Sequence, residues 1–119
     1  MTLTHALLVA LGGSLGAPLR YAVNHVLRQR LATTPPFGTL AVNVSGSLVL
    51  GLLVGVGVTG SPLLLVGVGF CGAFTTFSTL ALELWDAIED DRRVEATAIV
   101  TLSLTLGLGA AYLGFLLTS

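Results

Sequence analysis

Four long apolar stretches, separated by short polar segments, set the main constraint on how this chain can fold. A helix needs about 20 apolar residues to cross the ~30 Å hydrocarbon core of a bilayer. The stretches at about 3–26, 38–58, 63–86 and 94–117 each reach that length. Backbone polar groups in lipid must be paired within the protein, and a helix pairs them within a single segment. The sequence therefore predicts an all-α integral membrane protein in which residues 1–119 form one transmembrane domain.

The composition agrees with a membrane protein and excludes a soluble one. Apolar residues make up 54% of the chain and charged residues 9%, whereas about a quarter of the residues of a soluble domain are charged. The chain has no lysine, and its five arginines form no clustered basic face of the kind that binds nucleic acid. We therefore expect contact with membrane lipid, no nucleic-acid partner, and a multi-pass location in a plasma membrane or a cell inner membrane.

The third span contains an unusual segment of glycine, aromatic and hydroxyl residues, Gly67–Thr79. Irregular backbone at membrane depth survives only where it is buried in protein or lines a cavity. Its free carbonyl and amide groups are then the ones that hold ions in channels and transporters. The alternative is an unbroken helix whose small residues let neighbouring helices approach closely. The whole segment favours an ion site and predicts that the third span is broken near its middle, around Gly72–Thr76.

Small or polar residues recur every four positions in three of the spans. This spacing places them on one helical face, and such stripes are typical of close-packed seams between helices. Two members differ, because the amide of Asn43 and the guanidinium of Arg20 are costly in lipid and indicate function by default. The stripes are Gly12, Gly16, Arg20 and Asn24; Thr39, Asn43, Ser47, Gly51 and Gly55; and Thr97, Thr101, Thr105 and Gly109.

No group of residues in the sequence indicates catalysis. His5 and His25 have no acid or cysteine near them in the chain, so neither a metal site nor a catalytic triad is predicted. Ser78 likewise has no nearby base that could activate it as a nucleophile. The match of Gly67–Gly72 to a dinucleotide-binding glycine pattern lies inside a membrane span with no strand before it, so it is a chance match. We therefore expect a protein that is not an enzyme.

The polar residues of the spans favour an anion over a cation. All six acidic residues lie at Glu83 or later, so a cation would meet no carboxylate in the first two spans. A phenyl ring has a positive edge, and Phe77 presented edge-on could hold a small anion. The helix N-terminus created by the interruption adds partial positive charge. Arg20 would raise the anion concentration at the entrance.

Three motifs, in order and at compatible spacing, resemble the Fluc (CrcB-type) fluoride channels over essentially the full chain. They are GGSLGAPLRY at 12–21, GTLAVNVSG at 38–46 and GFCGAFTTFST at 69–79. The resemblance implies a fluoride-selective channel subunit that lets cytoplasmic fluoride leave the cell passively and so protects against fluoride toxicity. It also implies an antiparallel dual-topology dimer with two narrow pores and a structural sodium ion at the dimer interface.

The resemblance also implies roles for individual residues. The backbone carbonyls of Gly72 and Thr75 would bind the sodium ion. The side chains implied for the pore are Asn43 as the pore-lining amide, Phe77 as the first of two phenylalanines beside fluoride, Ser78, Thr79 and Thr105 as a polar track, and Arg20 and Glu83 near the pore mouths.

One position departs from the family pattern. The second pore phenylalanine follows the first by three residues, and this chain has Leu80 there. Leucine fills a similar volume but offers no ring edge to the anion. A second interpretation is therefore that the chain is the partner subunit of a heterodimeric fluoride channel in which one pore is degenerate.

The arginine distribution favours that second interpretation. The arginines at 28, 30, 92 and 93 all fall on one side of a four-span topology. Such a bias fixes one orientation, with both termini outside, whereas an antiparallel homodimer needs chains that insert both ways. A third interpretation is a small proton-coupled multidrug exporter. That carrier needs a membrane-embedded carboxylate, and the first span has none.

Overall fold

The computed structural model describes residues 2–31 and 37–119, and all regular structure within these residues is helical. Four helices are long and apolar enough to cross a membrane, as the apolar stretches predict. They are Leu3–Arg30, Gly38–Val56, Leu63–Glu89 and Arg93–Thr118. The chain is therefore a multi-pass membrane protein.

The third of these helices is divided into three elements. In chain order the elements are α1 (Leu3–Leu31), α2 (Phe37–Val56), the π-helix π1 (Leu63–Cys71), the single turn α3 (Gly72–Phe74), α4 (Phe77–Glu89) and α5 (Arg93–Thr118). The π-helix continues directly into α3, and two residues separate α3 from α4. Winding of the π type is rare and occurs frequently beside functional sites.

The first loop is shorter than the sequence predicts. A loop was expected over 27–37, but α1 continues to Leu31 and α2 already begins at Phe37. Arg28 and Arg30 lie in the last turn of α1, where cations interact favourably with the helix C-terminus. Residues 32–36, between the two helices, fall outside the described residues.

Glycine seams bring α2 against α5. A Cβ added at Gly114 would lie 2.5 Å from the carbonyl oxygen of Leu48 and 2.8 Å from the amide nitrogen of Leu52. Such distances leave room for hydrogen only, so the two helix backbones touch there. Thr118 adds a side-chain hydrogen bond across the seam, from its hydroxyl to the carbonyl oxygen of Leu52 at 2.9 Å. The two helices run parallel, since Gly51 lies against Ala111 and Gly55 against Phe115.

A second seam joins α1 to π1 and sets the level of the site. A Cβ at Gly69 would lie 2.6 Å from the carbonyl oxygen of Val9, and Gly12 and Gly16 in turn face backbone atoms of π1. Close backbone approach of this kind is what small residues permit in membrane helices. One turn beyond Gly16, the same face of α1 carries Arg20 to the level at which π1 and α3 end.

Candidate functional site

The chain leaves the helix for two residues between α3 and α4. Thr75 has φ −81° and ψ 160°, and Thr76 has φ −147° and ψ 120°, so both are extended. These residues lie midway along Leu63–Glu89, the third membrane-crossing segment. Extended backbone lacks the hydrogen bonds that a helix supplies. Other groups must therefore form hydrogen bonds with its amide and carbonyl groups.

Asn43 supplies that pairing from α2. The backbone amide of Thr76 donates to Oδ1 of Asn43 at 2.7 Å, and Nδ2 of Asn43 donates to the carbonyl oxygen of Thr76 at 3.1 Å. One side chain therefore pairs both peptide groups of the residue, as a residue of an adjacent antiparallel strand would do. The polar stripe on α2 places this amide at the interruption, which explains its presence inside a membrane helix.

Arg20 reaches the same segment from α1. Its Nη1 donates to the carbonyl oxygen of Thr75 at 3.4 Å, and its side chain is half-buried. The Thr75 hydroxyl donates back to the carbonyl oxygen of Cys71 at 2.9 Å. The interruption is thus held from both neighbouring helices, by an amide on one side and a guanidinium on the other.

Three hydroxyl groups meet where α4 begins. Thr76 is the N-cap of α4, and its Oγ1 accepts from the backbone amide of Thr79 at 3.2 Å. The Thr76 hydroxyl donates to Oγ1 of Thr79 at 3.1 Å and lies 3.3 Å from Oγ of Ser78. Thr76 is buried, with a relative exposure of 6%. A buried residue therefore anchors two more accessible hydroxyl groups at the first turn of the helix.

The electrostatics at this point favour negative charge. The N-terminus of α4 carries the partial positive charge of its unpaired amides, and the guanidinium of Arg20 lies beside it. The carboxylate closest to the interruption along the chain is that of Glu83. It is engaged elsewhere, since it accepts a hydrogen bond from the hydroxyl of buried Thr39. Hydroxyl donors, a helix N-terminus and an arginine are groups that bind a small anion.

Comparison with known proteins identifies the family. The family model described as "CrcB-like protein, Camphor Resistance (CrcB)" matches residues 7–115. The chain belongs to the CrcB-like family. The resemblance inferred from the three motifs is therefore confirmed.

Relatives of this CrcB-like chain carry the name of an ion channel and not of an enzyme. "Fluoride-specific ion channel FluC 2" of Mycobacterium tuberculosis is 44% identical, over 96% of this chain and 95% of the relative. "Fluoride-specific ion channel FluC 1" of Nocardia farcinica is 43% identical, over 94% of this chain and 79% of the relative. A protein of the same name from Streptomyces avermitilis is 45% identical, over 91% and 90%.

The interruption brings together most of the residues singled out from the sequence. The neighbouring helices α1 and α2 each contribute one side chain, and the first turn of α4 supplies hydroxyl groups. The residues gathered there are Arg20, Asn43, Thr75, Ser78 and Thr79. They come from three separate motifs of the CrcB-like chain, so tertiary packing assembles the cluster.

Other expected pore residues of the CrcB-like chain lie apart from this cluster. The Thr105 hydroxyl donates to the carbonyl oxygen of Thr101 on its own helix at 2.7 Å, and its side chain is exposed. Phe77 is 81% exposed, whereas Leu80 is half-buried. The stripe that carries Thr105 is not the packing seam of α5, since a Cβ at Gly109 would meet no heavy atom within 4 Å.

Two members of the site were not found from the sequence. Thr76 was counted only as part of the interruption, although a threonine just before a helix is a typical N-cap signal. The partner of Glu83, Thr39, was assigned only to a packing stripe. Its hydroxyl bonds a carboxylate 44 positions away along the chain, and no local pattern in the sequence records such a pair.

Proposed function

We propose that this chain is a subunit of a fluoride-selective channel through which cytoplasmic fluoride leaves the cell passively. The observation that carries the proposal is the cluster of neutral donors and an arginine at the interrupted third span. Channel relatives at about 44% identity over nearly the whole chain support it independently. We propose a plasma membrane or inner membrane location, which export of cytoplasmic fluoride requires.

The chemistry of the cluster suits a small, tightly hydrated anion. Selection among ions depends on replacing the hydration shell with a matching set of protein groups in a narrow space. The hydroxyl group of Thr79 and the N-terminus of α4 would supply donors, and Ser78 would line the same polar track. The ring edge of Phe77 would add a weakly positive surface. No carboxylate accompanies them in the first two spans, which opposes cation binding.

We propose that the third span acts as a broken helix at the centre of the bilayer and that a second subunit covers it. Ser78 and Gly72 are exposed beside the interruption. Polar groups at this depth cannot face lipid without large cost, so protein or a water-filled cavity must cover them. An antiparallel second subunit, related by a pseudo-two-fold axis lying in the membrane plane, would bring the matching interruption of its own chain to the same depth.

The same arrangement fits a structural sodium ion held by the carbonyl groups of Gly72 and Thr75. Thr76 donates its amide to Asn43, so the carbonyl of Gly72 lacks the donor that a continuing helix would give it. The carbonyl of Thr75 has a second lone pair beside the one that accepts from Arg20. Two carbonyls from each subunit would provide four oxygen ligands, and the ion would tie the interruptions together.

We propose that the second subunit is a related but distinct chain of inverted orientation. Leu80 removes a ring edge from one of the two pores, which a heterodimer tolerates when the other pore is intact. Arg28 and Arg30 lie in the last turn of α1, and Arg92 and Arg93 lie at the start of α5. The end of α1 and the start of α5 are on the same side of the helix bundle, so this bias favours a single orientation in the membrane. The names FluC 1 and FluC 2 among the relatives agree with paired subunits.

Fluoride efflux from liposomes tests the function directly. The purified chain is reconstituted alone and together with a co-expressed companion subunit, and a fluoride-selective electrode follows release. We expect fluoride release above that of empty liposomes, with no chloride release, at least when the companion is present. Absence of fluoride release in both preparations would refute the proposed function. Proton-driven export of a cationic drug would instead identify the multidrug carrier.

Accessibility of a C-terminal cysteine decides the orientation. Cys71 is buried, so the substitution Ser119→Cys gives an accessible thiol at the chain end. We expect a membrane-impermeant reagent to label it in intact cells almost completely. Labelling from both sides of the membrane in comparable amounts would contradict the single orientation and support a homodimer.

A further inference from the structure

The hydrogen bonds around Thr76 fix which hydroxyl of the site has a proton free for an anion. A threonine hydroxyl has one proton to donate and can accept two hydrogen bonds. Oγ1 of Thr76 accepts from the backbone amide of Thr79 and donates its proton to Oγ1 of Thr79. Its contact with Oγ of Ser78 at 3.3 Å must then be one in which Ser78 donates.

The consequence differs for the two accessible hydroxyl groups. Ser78 directs its proton inward, to Thr76, and presents only lone pairs to the outside. Thr79 has its acceptor side occupied by the proton of Thr76, so its own proton is directed away from that residue. Thr76 itself is buried and has no proton left for a ligand.

The backbone of Thr76 is held as firmly as its side chain. Both of its peptide groups are paired with the amide of Asn43, at 2.7 and 3.1 Å. The extended conformation that makes Thr76 an N-cap therefore depends on a side chain of another helix. Asn43 orients Thr76, and Thr76 orients Thr79.

We propose that Thr76 is a positioning residue that aims the hydroxyl proton of Thr79 at the transported anion. Thr76 acts through Thr79 and does not touch the anion. Ser78 does not donate to the anion in this arrangement, because its proton is committed to Thr76. The inference rests on the proposed function for the identity of the anion as fluoride.

A double-mutant cycle tests this chain of dependence by fluoride efflux. Thr76→Val removes the hydroxyl with little change of shape, and Thr76→Ser retains it. We expect T76V to lower the fluoride flux by about tenfold, the effect of losing one hydrogen bond of ordinary strength, and T76S to restore it. Thr97→Val is the matched control, because the Thr97 hydroxyl donates within its own helix, to the carbonyl oxygen of Arg93 at 2.9 Å.

The cycle separates positioning from a purely structural role. If Thr76 acts through Thr79, adding T76V to Thr79→Val lowers flux no further, whereas adding it to Ser78→Ala lowers flux as in the wild type. Equal loss in the Thr79→Val background would overturn the proposal. So would a T76V channel with wild-type flux. Should T76V not fold, Thr79→Val can still overturn the proposal, because wild-type flux in that variant would show that the anion does not need the outward proton of Thr79.

Hydrogen exchange keeps this inference distinct from the proposed function. The backbone amide of Thr79 should exchange faster in T76V and at the wild-type rate in T76S, whether or not the protein conducts fluoride. Unchanged protection of Thr79 in T76V would refute the role of Thr76. Wild-type protein that releases no fluoride even with its companion subunit, with exchange behaving as expected, would refute the proposed function and leave the role of Thr76 standing.

Discussion

Replacing Asn43 by alanine should loosen the interruption at a single, measurable position. The substitution removes both hydrogen bonds to Thr76, one at 2.7 Å and one at 3.1 Å. It leaves an amide and a carbonyl group unpaired in the middle of the third membrane-crossing segment. Each buried group without a partner costs about 1–3 kcal/mol, so the local cost is about 2–6 kcal/mol when no water enters.

That cost predicts a rate of hydrogen exchange. A change of about 1.4 kcal/mol corresponds to a factor of ten in an equilibrium constant, so even the lower limit predicts exchange of the Thr76 amide about 30-fold faster. Fluoride flux should fall in the same variant, because a loosened Thr76 no longer holds the first turn of α4. The measurement is peptide-resolved hydrogen exchange by mass spectrometry on the reconstituted protein, at constant pH.

Asn24→Ala is the matched control for this prediction. It removes an amide from α1, one turn beyond Arg20 and against Gly38 of α2, so Thr76 should exchange at the wild-type rate. A folded Asn43→Ala protein in which Thr76 also exchanges at that rate would refute the reasoning. The amide of Asn43 would then contribute nothing to holding the extended residue.

Three other predictions address the ring, the ion and the packing. Phe77→Ile should cut fluoride flux sharply without loss of the dimer, because the ring edge is lost; wild-type efflux with that substitution would contradict the aromatic role. Replacing sodium by a larger cation should weaken subunit association or stop flux, since carbonyl ligands at Gly72 and Thr75 would fit it poorly, and full activity in sodium-free medium would count against the site. Gly114→Ala should destabilise the fold by about 1–3 kcal/mol in a thermal or denaturant titration, because the added methyl meets backbone that cannot move aside. Gly109→Ala is its control and should be neutral, since that position is open; equal effects of the two changes would refute the assignment of the seam.

The sequence alone determined the fold class and the family. Helical membrane spans are visible in a single sequence because a helix pairs its backbone groups within one segment, which must then be long and apolar. The segment Gly67–Thr79 also stands out in the sequence alone, since small, hydroxyl and aromatic residues replace the leucines and valines of the rest of the span. Each of the three motifs that resemble the fluoride channels is a continuous stretch of the chain, and a family model matches across all of them.

Four-residue spacing revealed the helix faces but not what covers them. The glycines at 12 and 16 do form a seam with π1, as do those at 51 and 55 with α5. On α5, however, the predicted stripe of Thr97, Thr101, Thr105 and Gly109 is largely exposed, and the helix meets α2 through Gly114 instead. Spacing identifies residues that share a face, whereas the choice of face depends on the shape of the neighbouring helix.

Only the tertiary structure decided how the site is held together. Asn43 and Thr76 lie 33 positions apart, and Arg20 and Thr75 lie 55 apart, so no local pattern could pair them. From the sequence, Asn43 was a lone polar group in lipid, to be explained by a ligand. In the fold it is the side chain that pairs both peptide groups of an extended residue. The physical reason is that backbone released from a helix inside a membrane must find its partners in another part of the chain.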